Sequence, residues 1–205
     1  MKKFLLLFFL LLPNISYALI EVDITRGNLN PLPVAVSPLS IDENSRKNFE
    51  KILKKKNIGS EISLVVENNL KISGLFNPLN KDAFLQAPDI ANLKPRFEDW
   101  NLIKAQALIT GKVNFVDEKL RVEFRLWDVL AGKEMLALAF TTVPNNWRRV
   151  GHIITDKVYE RLTGERGYFD TRIIYVAEEG PKTNRIKKLA IMDQDGANNK
   201  FLTLG

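Results

Sequence analysis

Hydrophobic residues along this chain change period several times, and each change marks an element. Ile20, Val22 and Ile24 alternate with Glu21, Asp23 and Thr25, which predicts a half-buried strand. Residues 27–33 are rich in turn formers, and Val34, Ala35 and Val36 read as a short strand buried on both faces. Residues 41–58 are polar and lysine-rich, with Phe49, Ile52 and Leu53 at helical spacing, so a loop or a short helix fits there. Ser60 reads as an N-cap. After it, Ile62, Val65, Val66, Asn69 and Leu70 keep the spacing of a helix buried on one face, with Gly74 as the expected stop.

Residues 75–79 are expected to be extended, held out of helix by Pro78. Pro95 is expected to open a shorter helix whose apolar surface is Phe97, Trp100, Leu102 and Ile103. A three-strand meander follows. Its first strand is 107–116, with Gly111 as a candidate bulge, and Asp117 and Glu118 make the turn. Leu120, Val122, Phe124 and Leu126 alternate strictly with charged residues in the second strand; the third covers 135–143. Pro144 ends the sheet, and Asn145 or Asn146 is expected to cap another helix. Its buried stripe is Trp147, Val150, Ile153, Ile154, Val158 and Leu162, and Gly164 stops it.

Beyond a polar connection at 165–170 only short strands remain: 171–177, 186–192 and a third from Phe201, with a turn at 193–196. Two or three such strands bury no core alone and usually belong to a repeating β architecture completed by neighbours. The expected class is therefore α/β.

The first residues stand apart from this pattern. Lys2 and Lys3 precede an unbroken apolar run at 4–12, Pro13 and Asn14 break it, and Ser16-Tyr17-Ala18 offers a small-residue cleavage site. That is the layout of a secretory signal peptide over residues 1–18, cut after Ala18. A retained anchor is the rival reading, but the run is shorter than the roughly 20 residues a spanning helix needs. Export makes the absence of cysteine informative: folding must rest on burial without disulfides, and thiolate catalysis and zinc–thiolate sites are excluded. The formal charge of +6 includes Lys2 and Lys3, which leaves +4 from Leu19 onward, too mild to argue for nucleic acid. Lys51, Lys54, Lys55 and Lys56 form the one dense cluster. It reads as a solvated face, with an anionic partner surface as the sharper alternative for an exported binding protein.

Catalytic patterns are missing. His152 is the only histidine, with Asp156 one helical turn on, but no G-x-S-x-G accompanies them and a packing role fits. A lone histidine without cysteine makes a poor zinc site. Asp193-Gln194-Asp195-Gly196 resembles the start of a calcium loop, yet Ala197 and Asn198 stand where ligand spacing would require other residues, so a β-turn is expected. No glycine-rich phosphate loop follows a strand, and Trp100, Trp127 and Trp147 are expected in packed elements.

Several blocks together resemble the TolB family of the periplasmic Tol–Pal system. They are residues 20–27 with 33–36; Leu70-Lys71-Ile72-Ser73-Gly74-Leu75-Phe76-Asn77-Pro78-Leu79; Trp100 with 108–113 and 124–128; and, most specific, Trp147-Arg148-Arg149-Val150-Gly151-His152 with Asp156, 158–160, 162–164 and 167–176. Ile191-Met192-Asp193 and Asp195-Gly196 resemble the family's first propeller blade.

The resemblance implies an N-terminal mixed-sheet α/β domain with two main helices at 19–164, a linker at 165–170, and an incomplete first blade of a β-propeller at 171–205. It implies a non-enzymatic periplasmic adaptor without cofactor. Such an adaptor binds the C-terminal domain of TolA and serves outer-membrane integrity, constriction at cell division and uptake of certain bacteriocins. Its TolA-binding strand maps to Leu19, Ile20, Glu21, Val22, Asp23, Ile24 and Thr25. The lipoprotein Pal is the second implied partner, with most of its binding surface in the family on the propeller that this chain only begins. A truncated or split gene product, down to a non-functional remnant, is the alternative expectation.

Overall fold

A computed structural model describes residues 30–204. The expected leader at 1–18 and the strand at 20–25 lie outside the described residues. Among those described, no helix is long and apolar enough to cross a membrane.

The main sheet has the order β3-β1-β4-β5-β6, where β1 is Leu32–Val36, β3 Phe76–Pro78, β4 Ala107–Val116, β5 Lys119–Asp128 and β6 Lys133–Thr142; a two-residue β2, Ser40–Ile41, also pairs with β4. β1 runs parallel to both β3 and β4, whereas β4, β5 and β6 form the antiparallel meander. The sheet is therefore mixed, as expected. A parallel β1–β4 pair needs a crossover, and the chain between them supplies it with helices.

Those helices are α1 (Glu43–Leu53), α2 (Ile58–Ile72), α3 (Pro88–Leu93) and α4 (Phe97–Leu102); α5 (Trp147–Thr163) follows the meander. Strand alternation divides the side chains between two faces. Val34, Val36, Ile109, Val122, Phe124 and Leu126 meet α2 and α5 in the main core, which also takes Phe49 of α1. Ala35 and Leu108 point the other way, into a smaller cluster with Ala91, Trp100 and Val129. Val34, Ala35 and Val36 are buried on both faces as expected.

One open expectation is decided, and several others need correction. The loop-or-helix stretch is a helix, because the Asp42 carboxylate accepts the Ser45 amide at 2.8 Å as an N-cap. Phe49 is its core residue, while Ile52 is 47% exposed and looks outward. The cap of α2 is Asn57, not Ser60, whose amide donates to the Asn57 side chain at 3.3 Å. Gly111 is not a bulge: β4–β5 register is unbroken there, and the irregularity falls between Leu126 and Trp127 in the β5–β6 pair. Glycine is needed because a Cβ would stand 2.2 Å from the Glu123 carbonyl oxygen. Pro95 lies outside α4, whose N-cap is Arg96, and Leu102 is 74% exposed instead of buried. Asn146 sits at the α5 N-cap but makes no capping hydrogen bond; its amide nitrogen donates to Thr142 Oγ1 at 3.1 Å. Gly164 ends α5 in the left-handed region, φ 76°.

A second, three-stranded antiparallel sheet follows: β7 (Arg172–Glu179), β8 (Ile186–Asp193) and β9 (Lys200–Phe201). Ile174, Val176 and Phe201 are exposed on it, which fits a sheet that needs neighbours to complete a core.

Candidate functional site

The polar groups of the described residues converge where the second sheet meets the α/β domain. The connection is held first. Asp156, one turn beyond His152 on α5, accepts the backbone amides of Phe169 at 2.6 Å and Asp170 at 3.1 Å. It serves the connection, not the histidine. Arg149, exposed on the same helix, pairs with the Asp170 carboxylate at 3.1 Å.

His152 lies at the centre of the junction, 3% exposed. Its Nδ1 is 2.9 Å from Asn69 Nδ2. The Thr155 hydroxyl donates to the Gly151 carbonyl at 2.9 Å, so its oxygen accepts from Asn69 Nδ2 at 3.2 Å. Asn69 Oδ1 accepts from Gln194 Nε2 at 2.9 Å, across the turn between β8 and β9. As placed, the amide nitrogen faces α5 and its oxygen faces the turn. A donor against Nδ1 makes Nδ1 the acceptor, which puts the ring proton on Nε2. Among the described residues Nε2 has no hydrogen-bond partner, and it faces Asp195 Oδ2 at 3.9 Å.

Charges surround the ring. Arg148 pairs with Asp195 and covers the Trp147 ring, its guanidinium carbon 5.4 Å from the centroid. Arg172 Nε lies 3.8 Å from Asp193 Oδ1. Burial pushes the His152 pKa below the ordinary value; Asp195, Asp193 and Asp170 oppose this, and Arg148 adds to it. Beside them is a cleft of about 70 Å³ lined by Arg148, Arg149, His152, Asp170, Asp193 and Asn198 among others.

Ligand atoms of His152, Asp193 and Asp195 lie within 4.8 Å of one another. A metal would need a bare Nε2 lone pair, and the hydrogen-bond pattern places the ring proton there while Arg148 occupies Asp195. The arrangement suits hydrogen bonding across a junction better than coordination.

The sequence-predicted partner strand, residues 19–25, is outside the described residues, so the structure brings none of it to this junction. Of the lysine cluster, Lys55 pairs with Glu61 at 3.1 Å and lies over the Trp147 ring at 5.0 Å, while Lys51, Lys54 and Lys56 are exposed. Sequence reasoning missed Asn69 as the partner of His152 and Gln194 as the partner of Asn69. Asn69 had a signal: a polar residue inside the buried stripe of a helix requires a partner. Gln194 had none beyond its place in a turn.

A curated relative, Tol-Pal system protein TolB of Pelagibacter ubique (strain HTCC1062), is 82% identical over 203 residues, covering 99% of this chain and 46% of its own length. The chain thus spans about half the length of the curated relative it matches. The crystal structure of TolB from Acinetobacter baumannii superposes with a TM-score of 0.67 at 22% identity, covering 90% of this chain and 41% of that one, a likeness of fold. The family model described as the TolB amino-terminal domain matches residues 20–135. That is more than half of the sequence, and the chain belongs to the TolB amino-terminal domain family.

Proposed function

We propose that this chain is a non-enzymatic adaptor of the Tol–Pal system in the periplasm, with residues 19–25 docking as an added strand on the C-terminal domain of TolA. The observation that carries this reading is the 82% identity to a protein named for that system. The family match also begins at residue 20 and so takes in Ile20, Val22 and Ile24. A short alternating segment next to a processed terminus can pair with an exposed sheet edge, with side-chain pockets reading every second residue. A segment at a chain terminus can move to a partner at little cost, because termini fray first.

Within this reading, residues 1–18 direct export, 19–164 form the adaptor domain, 165–170 link it, and 171–205 open a propeller. Pal is the second partner, and the task served is outer-membrane integrity and constriction at cell division. The polar cluster around His152 supports a binding role over a catalytic one. In it Asn69 takes His152 Nδ1 and Arg148 pairs with Asp195, so these groups are committed to contacts within the junction.

Calorimetric titration of the chain from Leu19 onward against the TolA C-terminal domain of the same organism tests the reading, alongside a variant lacking residues 19–25. Binding by the first and none by a folded second is the expected result. No binding by a folded intact chain overturns it.

A further inference from the structure

We propose that His152 is a proton-operated latch, fastening the β7–β9 sheet to the α/β domain through Asn69 and Gln194 when neutral and releasing it on acidification. The inference does not depend on which partner the chain binds.

The argument is one of hydrogen-bond polarity. In the neutral ring the only acceptor is Nδ1, and Asn69 Nδ2 fills it at 2.9 Å. A second proton can go only to Nδ1, where an N–H would then face an N–H. To recover, the Asn69 amide must turn over and present Oδ1. Its nitrogen then meets Gln194 Nε2, donor against donor, and its oxygen meets a Thr155 hydroxyl that is donating to Gly151. Relief without opening requires buried Asn69 and Thr155 and half-exposed Gln194 to reverse together around a cation. Relief by opening requires that the β8–β9 turn move away and admit water, which also parts Arg148 from Asp195.

The groups facing the ring set the balance. Asp195 and Asp193, at the turn and the end of β8, and Asp170 in the connection favour the cation, while Arg148 on α5 disfavours it, and α2 presents the neutral Asn69. Burial outweighs the carboxylates and holds the ring below histidine's ordinary 6.5. The sign follows from linkage. A lowered folded pKa means that the closed junction is fully stabilised above 6.5 and loses that stabilisation as pH falls through the folded value. The β7–β9 sheet is the part that feels it, because a two-strand hairpin edged by the two-residue β9 holds poorly without support.

The chain's single histidine makes the test direct. Ring-nitrogen NMR of the full chain, prepared without a histidine tag, is recorded from pH 7.5 to 4.5 together with amide hydrogen exchange, corrected for intrinsic rates. The expected result is an Nε2–H tautomer at neutral pH. As the ring titrates, protection of β7–β9 amides should fall by about tenfold or more relative to β4–β5 amides. Gln194→Ala, a half-exposed turn position, should show the low protection already at neutral pH and respond little to acid. An Nδ1–H tautomer at pH 7, β7–β9 protection that holds while the ring titrates, or Gln194→Ala behaving like the parent would each overturn the latch.

Discussion

Gly167 runs so close to Asp156 that a Cβ built on it would stand 2.4 Å from the Asp156 Cα and 2.5 Å from Oδ1. The close approach lets the Asp156 carboxylate receive two successive backbone amides, those of Phe169 and Asp170. Gly167→Ala must therefore push the connection off α5. It should destabilise the chain by about 1–3 kcal/mol, the usual range for overpacking against backbone. Asp156→Ala should cost about 2–3 kcal/mol because both amides lose a charged acceptor, and Asp156→Asn should recover part of this. Chemical denaturation monitored by tryptophan fluorescence reads all three. Unchanged midpoints for both Gly167→Ala and Asp156→Ala would show that the connection is not held at this point.

Gly111 separates two readings of one glycine. A bulge tolerates a side chain, whereas a close backbone approach does not. A methyl group added at Gly111 would lie 2.2 Å from the Glu123 oxygen and 2.9 Å from Leu39 Cδ2. Gly111→Ala should therefore cost about 1–3 kcal/mol and loosen exchange-protected amides in β4 and β5. A variant as stable as the parent would show that the Glu123 carbonyl gives way and that glycine is not required there.

How much was legible follows residue type. Leu120, Val122, Phe124 and Leu126 alternate with charged neighbours, so β5 could be read directly, and the stripes of α2 and α5 were equally plain. α3 was missed because its buried positions are Ala91 and Asn92, while its larger apolar residues Ile90 and Leu93 face water. Periodicity counts large apolar residues, and here they point the wrong way. The junction was half visible. Asn69 breaks an apolar stripe and so demands a partner, but the contact with Gln194 spans 125 positions in sequence. Turn chemistry specifies that Asp193-Gln194-Asp195-Gly196 bends, not what it touches.

Asp42 links sequence to pH dependence. Its side chain caps α1, and hydrogen bonds from the Ser45 side chain and backbone lower its pKa below the ordinary 3.8. A depressed carboxylate contributes stability that is present above 3.8 and lost as pH falls through the folded value. Asp42→Ala should cost about 1 kcal/mol at neutral pH. The difference from the parent should shrink on titration toward pH 2 in urea denaturation. A difference that is constant across that range would show that the carboxylate's charge is irrelevant to the cap.

Gln86 is the polar support of the smaller core. Its Oε1 accepts from Trp100 Nε1 at 2.6 Å and from the Arg96 amide at 3.0 Å. Gln86→Leu keeps the volume but leaves the buried indole donor without an acceptor, which should cost about 1–3 kcal/mol. The Trp100 emission should shift as its environment loosens. Because the main core is on the other face of the sheet, the β5–β6 amides should stay protected. Their collapse would mean that the two clusters fold as one unit.

Asn69→Leu tests whether the junction acts as a single network. The substitution fits a helix stripe already made of Ile62, Val65, Val66 and Leu70. It nevertheless removes the donor to His152 and Thr155 and the acceptor for Gln194. If these bonds acted independently, Gln194→Ala would add its own full cost to that of Asn69→Leu. Since the Gln194 bond exists only through Asn69, the double variant should be no less stable than Asn69→Leu alone, to within about 0.5 kcal/mol. Full additivity in a denaturation double-mutant cycle would mean that Gln194 contributes through the β8–β9 turn itself, and that the sheet is fastened to the α/β domain by Arg148 and Asp195 instead.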